Sequence, residues 1–137
     1  MLGQELEEFL KDWNEDGTGM RGAFDDLLGT LRNVEGVELS FKARPGVSYS
    51  LRATHSAQQE RSLFAMIDVI DDDPANRWLS VCFFGDMVSD PEEKGDLIPG
   101  GLLGGDGYCF DLDTAEESEV AYVAQRIREA LEAAAQG

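Results

Sequence analysis

The spacing of apolar residues changes at Gly36, and this change decides what the chain can fold into. Before it, apolar side chains recur every three or four residues over 2–14 and 20–34, which predicts two amphipathic helices. After it, apolar and polar residues alternate over 37–44 and 48–53, which predicts two half-buried strands. Residues 1–35 are therefore expected to form a helical hairpin, and a sheet is expected to follow.

The Pro-Gly pair at 45–46 marks the turn between these two strands. A two-residue loop would mix the apolar and polar faces, whereas pairing Arg44 with Ser48 and Phe41 with Leu51 keeps the apolar side chains together. The sequence therefore predicts a three-residue loop or a bulge at this turn.

The next two strands, 62–70 and 77–84, are apolar on both faces. Such strands need a cover on each side, so the helices are expected on one face, and a long loop, a partner chain or both on the other. That loop is 85–107, which is rich in glycine and has an apolar patch at 97–103. Loops of this length are often lids or binding loops.

A fifth strand at 108–112 and a C-terminal helix at 114–135 complete the prediction. The order is ααβββββα, with a five-stranded antiparallel sheet in hairpin order over 37–112 and the helices on one face. A chain of 137 residues has the size of one domain, so 1–137 is read as a single α+β domain.

Asp68 interrupts an otherwise apolar strand, where a buried carboxylate must be neutralised or paired. An ion pair with Arg52, Arg61 or Arg77 is the first interpretation. A ligand-facing acid and a position open to solvent at the strand edge are the alternatives.

The net charge of −17 is unevenly distributed. Residues 68–119 carry fifteen acids and two bases, whereas 37–67 carry two acids and four bases. Because so acidic a chain repels phosphate groups, nucleic acid and anionic membranes are not expected as partners. The outward face of the first hairpin carries Lys42, Arg44 and Arg52 and is the one surface suited to an anionic or acidic partner, with a merely solvated sheet face as the alternative.

Two acidic segments are candidates for a metal. Asp12, Asn14 and Asp16 match the opening of an EF-hand calcium loop, although Ala23 stands where a bidentate glutamate is needed. A second candidate set for calcium or iron is Asp106, Asp111 and Asp113. The alternative for the first segment is a helix end followed by a polar turn, and the alternative for the second is a solvated acidic loop. No cofactor is predicted.

Cys82 and Cys109 lie in apolar segments, and two free buried thiols in a reducing compartment are expected, with a disulfide or redox pair as the alternative. His55 is the only histidine, so no zinc site with several histidines can form. Since no nucleophile partner is recognisable, His55 is read as a surface or turn residue, with a general base as the alternative.

Four stretches, 46–53, 77–83, 99–104 and 107–112, resemble a small group of uncharacterised bacterial hypothetical proteins with no known activity. The resemblance spans roughly 37–131 and implies a compact bacterial domain. In layout and charge, the chain also resembles frataxin-like iron proteins and small acidic secretion chaperones.

The sequence thus favours a non-enzymatic module that binds a protein or a small ligand, possible partners being a second copy or another protein. A cytoplasmic location is expected, because no apolar run could span a membrane. Metal handling in the acidic loops is the alternative, and an enzyme using His55, Asp68 and arginines is a second one. The residues expected at the ligand or partner surface are Lys42, Arg44, Arg52, His55, Asp68 and Arg77.

Overall fold

Residues 2–13 and 19–137, which the computed structural model describes, form three helices, six strands and one 3-10 turn. The helices are α1 (Leu2–Asp12), α2 (Met20–Gly29) and α3 (Glu117–Ala135). The strands are β1 (Val37–Arg44), β2 (Ser48–His55), β3 (Ala65–Ile70), β4 (Trp78–Phe84), β5 (Asp96–Leu102) and β6 (Gly105–Leu112), and the 3-10 turn is Gly85–Met87.

All six strands belong to one antiparallel sheet in the order β1-β2-β3-β4-β6-β5. The α+β class is confirmed, but the prediction of five strands is wrong. β5 lies inside 85–107, which was expected to be a loop, and β6 starts at Gly105 instead of 108. The sequence pattern did not predict β5, because Pro99 and the glycines beside it are tolerated in strands only at edges and bulges. The ladder between β5 and β6 indeed shifts register between Ile98 and Leu102.

The register of the first hairpin is confirmed. Arg44 lies opposite Ser48 and Phe41 lies opposite Leu51, with three loop residues between the strands. The backbone nitrogen of Val47 donates to the carbonyl of Arg44 at 2.9 Å. This pairing puts every apolar side chain of β1 on the same face as those of β2.

The main core lies between one face of the sheet and the helices. Leu51, Ile67, Val81 and Phe110 are consecutive cross-strand neighbours on β2, β3, β4 and β6, and all are at most 2% exposed. Side chains from all three helices complete this cluster, among them Phe9 and Trp13 of α1, Phe24 and Leu27 of α2, and Ile127 of α3. No side chain of the opposite sheet face belongs to it.

That opposite face, here called the open face, is covered only at one end. Leu102 of β5 packs there on Phe84 and Leu63, with Met66 and Met87 beside them. The 97–103 patch therefore covers only a small part of the open face. Its other apolar side chains, Leu97, Ile98 and Leu103, are 56%, 41% and 62% exposed.

The expectation of two free buried thiols is wrong. Cys82 of β4 and Cys109 of β6 lie directly opposite each other, with their Cα atoms 4.1 Å apart, and form a disulfide. Both residues are half-buried on the open face. Because disulfides persist in oxidising compartments, this bond gives no support to a reducing, cytoplasmic setting.

Candidate interaction surface on the open face of the sheet

The open face is built from side chains that the strand registers align in rows across the sheet, since directly opposite residues point to the same side. One row runs Lys42, Ser50, Asp68, Ser80 and Asp111, from β1 to β6. The next row runs Ser40, Arg52, Met66, Cys82, Cys109 and Asp96, and a shorter one runs Arg44, Ser48, Ile70 and Trp78.

The β1–β2 side of this face is basic. Lys42, Arg44 and Arg52 share it with serine hydroxyls and with one acid, Glu38, as the alternation of the hairpin predicted. The Nε of Arg52 donates to the Oγ of Ser50 at 3.3 Å. No ion pair joins these three bases to an acid in 2–13 or 19–137, so they are available to a partner.

The β6–β5 side of the face is acidic. Asp111 projects from β6, and Asp96 lies opposite Cys109 on β5. Partial burial raises the pKa of Asp111, and the negative charges of Asp96 and Asp113 raise it further. The three carboxylates therefore repel one another, and a cation brought to this side would relieve the repulsion.

The middle of the face is apolar around one buried acid. Met66, Ile70 and Trp78 are half-buried here, and Met66 lies opposite Cys82 of the disulfide. The Oδ1 of Asp68 is buried and accepts no hydrogen bond within the described chain. Burial raises the pKa of Asp68, and a hydrogen bond with Ser50 only partly opposes this effect.

The ion pair expected for Asp68 is not formed. Arg77 instead binds Asp71 at 2.7 Å, and Arg61 binds Asp86 at 2.5 Å. Arg52 lowers the pKa of Asp68 through its positive charge but makes no ion pair with it in the described residues. Asp71 and Asp86, which the sequence analysis did not name as partners of these arginines, therefore bind them in place of Asp68.

His55 and Arg77 lie away from the open face. The Nδ1 of His55 accepts a hydrogen bond from the backbone of Ala57 at 3.0 Å, so the ring fixes the turn after β2. Asp68 lies opposite Ser50, five residues along β2 from His55, and on the other face. The histidine, Asp68 and the arginines thus do not share a pocket.

Only part of the two proposed sets of metal ligands lies in the described residues. Asn14 and Asp16 lie outside the described residues, and Asp12 is exposed on α1. Asp106 accepts a hydrogen bond from the backbone of Gly100 at 3.0 Å, while Asp111 points to the open face. In 2–13 and 19–137, no three His, Cys, Asp or Glu side chains group as metal ligands would.

Asp90 is a polar centre that the sequence analysis missed. Its carboxylate accepts hydrogen bonds from Tyr108 at 2.6 Å, from Tyr122, and from the backbone nitrogens of Lys94 and Gly95 at 2.9 Å. Desolvation opposes ionisation, but these four donors outweigh it and hold the pKa of Asp90 well below its usual range. The pKa of Tyr108 is raised to about 12 by the same bond.

These bonds fasten the segment before β5 to α3. Ser89 adds two hydrogen bonds to the carboxylate of Glu129, from its backbone nitrogen at 2.9 Å and its hydroxyl at 2.7 Å. Lys94 adds an ion pair with Glu119 at 2.7 Å. The Asp-Pro pair at 90–91 was the only local signal, and it marks a turn without revealing the two distant tyrosines.

Comparison with known protein families, with curated proteins and with solved structures finds no match to this chain. None of the described helices has the length and apolar character needed to cross a membrane. The function proposed below therefore rests on the side chains of the open face.

Proposed function

We propose that the protein is a non-enzymatic interaction module that pairs with a second copy of itself through the open face. The observation that carries this proposal is the order of chemistry across the sheet. The face is basic on β1–β2, apolar on β3–β4, and acidic on β6–β5.

This order is self-complementary under two-fold symmetry. A two-fold axis that runs along the strands, between β3 and β4, turns a second copy so that the two open faces meet. Strand β1 then faces β5 of the other copy, β2 faces β6, and β3 faces β4. Each basic side meets an acidic side, and the apolar middle strips cover each other.

The size of the face suits a dimer. Six strands about 4.8 Å apart, each with roughly six residues rising ~3.3 Å, span about 29 by 20 Å, a projected area of roughly 580 Å². Standard interfaces bury about 800 Å² of accessible surface on each partner, which exceeds the projected area because side chains are rough. Sheets stacked face to face are also a common packing arrangement, with ~10 Å between them.

The same arrangement gives Asp68 a partner. Row by row, the axis sets Asp68 of one copy against Ser80 of the other. Because the Oδ1 of Asp68 is shielded from solvent within one copy, its side chain must turn toward the interface before it can accept a hydrogen bond from this serine. A buried acceptor without a donor costs about 1–3 kcal/mol. Supplying the donor would return part of that free energy to the association.

Sedimentation equilibrium at about 0.15 M salt tests the proposal. At this ionic strength the Debye length is ~8 Å, which screens the repulsion between two copies of charge −17 but leaves close contacts effective. We expect a dimer for the unmodified protein, weaker dimers for Arg52→Glu and for Asp111→Arg, and recovery in the double variant. The matched control is Arg128→Glu, at an exposed position on α3, which should leave the dimer intact.

In the proposed pair, Arg52 of one copy and Asp111 of the other lie one row apart, about 7 Å along the strands, a distance that the long arginine side chain can span. The double variant identifies the interface because Arg52 and Asp111 are too far apart to pair within one copy. Two strands lie between β2 and β6, which separates them by about 14 Å. A strictly monomeric protein at about 0.5 mM would overturn self-association, since even millimolar affinity would be visible. An equal loss in Arg52→Glu and Arg128→Glu would overturn the open face as its site.

A further inference from the structure

A cavity of about 310 Å³ lies on the other side of the sheet, between α1 and the β1–β2 hairpin. Its walls are aromatic and are formed by Phe9, Trp13, Phe41 and Tyr49. The rings of Phe9 and Tyr49 stack with their centres 4.2 Å apart, and Phe9 also packs against Trp13 and Phe41 at 5.4 Å. Packed aromatic rings therefore form part of the cavity wall.

Arg77 lines the cavity and presents an unused hydrogen-bonding edge. Its guanidinium carbon lies 5.4–5.5 Å from the ring centres of Phe9, Trp13 and Tyr49, within cation–π range. Its Nε is engaged by Asp71, but its two terminal nitrogens donate to no residue in the described chain. With its side chain 13% exposed, the guanidinium can offer these nitrogens as a fork to a carboxylate.

Three acids among the described residues line the same cavity. Glu5, Glu8 and Asp12 follow one another at helical spacing along α1, and all three are exposed. None of them forms an ion pair within residues 2–13 and 19–137. The cavity thus combines a fixed positive group with a stripe of free carboxylates.

These two features together select the ligand. A simple anion would be attracted by Arg77 but repelled by the three carboxylates. A simple cation would be attracted by the carboxylates but repelled by Arg77. A zwitterion satisfies both. The aromatic walls add affinity for an apolar group, and the volume is at the small end of ligand pockets, below what a large cofactor needs.

We infer that this cavity binds a free amino acid with an apolar side chain. The carboxylate binds the terminal nitrogens of Arg77, the ammonium group lies toward Glu5, Glu8 and Asp12, and the side chain packs on the rings. The site is independent of the open face, because the alternation of β1 directs Phe41 and Lys42 to opposite sides of the sheet.

Isothermal titration calorimetry with three related compounds tests this inference. L-phenylalanine carries both charges, its methyl ester lacks the carboxylate, and 3-phenylpropionate lacks the ammonium group. We expect saturable binding of phenylalanine and at least about tenfold weaker binding of each analogue, a difference of about 1.4 kcal/mol. In a nitrogen–proton NMR spectrum, phenylalanine should also shift the indole signal of Trp13. The Nε1 of Trp13 is buried and donates a hydrogen bond to no described group.

Variants on α1 supply the structural control. Glu8→Gln should weaken phenylalanine binding several-fold. Glu7→Gln should not, because Glu7 lies on the same helix but pairs with Arg32 at 2.6 Å instead of lining the cavity. Arg77→Lys keeps the charge but removes the fork, and it should weaken phenylalanine while leaving the methyl ester unaffected.

Several results would overturn the inference. Absence of saturable binding up to about 10 mM phenylalanine would remove the site, because a useful site needs at least millimolar affinity. Equal affinity for phenylalanine and either analogue would show that one of the two charges is not recognised. Equal effects of Glu7→Gln and Glu8→Gln would show a general charge effect, and this comparison remains valid if Arg77→Lys fails to fold.

Discussion

Replacing Asp71 by asparagine is expected to destabilise the protein by about 3–5 kcal/mol, the usual cost of removing one partner from a buried ion pair. Asp71 is 3% exposed and uses both carboxylate oxygens. One accepts the Nε of Arg77 at 2.7 Å, and the other accepts the backbone nitrogen of Gly46 at 2.8 Å. The residue therefore joins the β1–β2 turn to the loop between β3 and β4.

The magnitude follows from what the substitution leaves behind. Asparagine keeps one acceptor but loses the charge, so the guanidinium of Arg77 stays buried without an opposite charge. Hydrogen bonds to charged groups contribute about 1.5–3 kcal/mol each, and uncompensated burial adds to that loss. Against a total stability of about 5–15 kcal/mol for a domain, the variant would lose a large share of its folding free energy.

Urea unfolding followed by circular dichroism measures this loss. The matched control is Asp72→Asn, because Asp72 is the next residue, carries the same charge and is exposed. It should change the free energy of unfolding by less than about 0.5 kcal/mol. Arg77→Met together with Asp71→Leu should cost less than the two single changes combined, since the pair is then removed as a unit. A loss below about 1 kcal/mol for Asp71→Asn, or one equal to the control, would refute this account of the pair.

Two further predictions concern pH. Burial raises the pKa of Asp68, so its charged form weakens the fold, and this penalty grows as the pH rises from about 4. Asp68→Asn should therefore be more stable than the unmodified monomer at pH 7, with no gain below pH ~4, as urea titrations at both pH values would show. The pKa of Asp90 is lowered, so its contribution is complete above pH ~4 and is lost as the pH falls further. Asp90→Asn should cost about 1–2 kcal/mol at pH 7 after allowing for solvent screening, and melting curves from pH 7 to 2 should show its deficit shrinking; a constant deficit would contradict this.

The pattern of apolar residues was sufficient for much of the fold, because burial of one sheet face fixes both period and register. It predicted the pairing of Arg44 with Ser48 and placed Lys42, Arg44 and Arg52 on one surface. It failed for β5, where proline and glycine stand in a strand that pairs on one side only. In such an edge strand, propensity is a weak guide, since half of the backbone groups need no partner in the sheet.

The candidate sites were harder to predict, because they depend on which distant side chains meet. Arg77 lies close in sequence to both Asp68 and Asp71, and only the turn geometry decides that Asp71 receives it. Cys82 and Cys109 are separated by 27 positions, and their bond follows from the register of β4 against β6. The sequence marked Asp68 as an unusual acid, but it favoured free thiols for the two cysteines and did not show which side chains would pair.

The shifted register of β5 limits how copies of the chain can pair edge to edge. An edge strand offers unpaired backbone groups to any neighbouring chain, and long flat edges promote sheet growth from molecule to molecule. At one edge, Pro99 and the shifted register interrupt the ladder, and at the other, β1 carries the charges of Glu38, Lys42 and Arg44. Both edges thus resist addition of another strand, so the proposed pair should not extend into fibres.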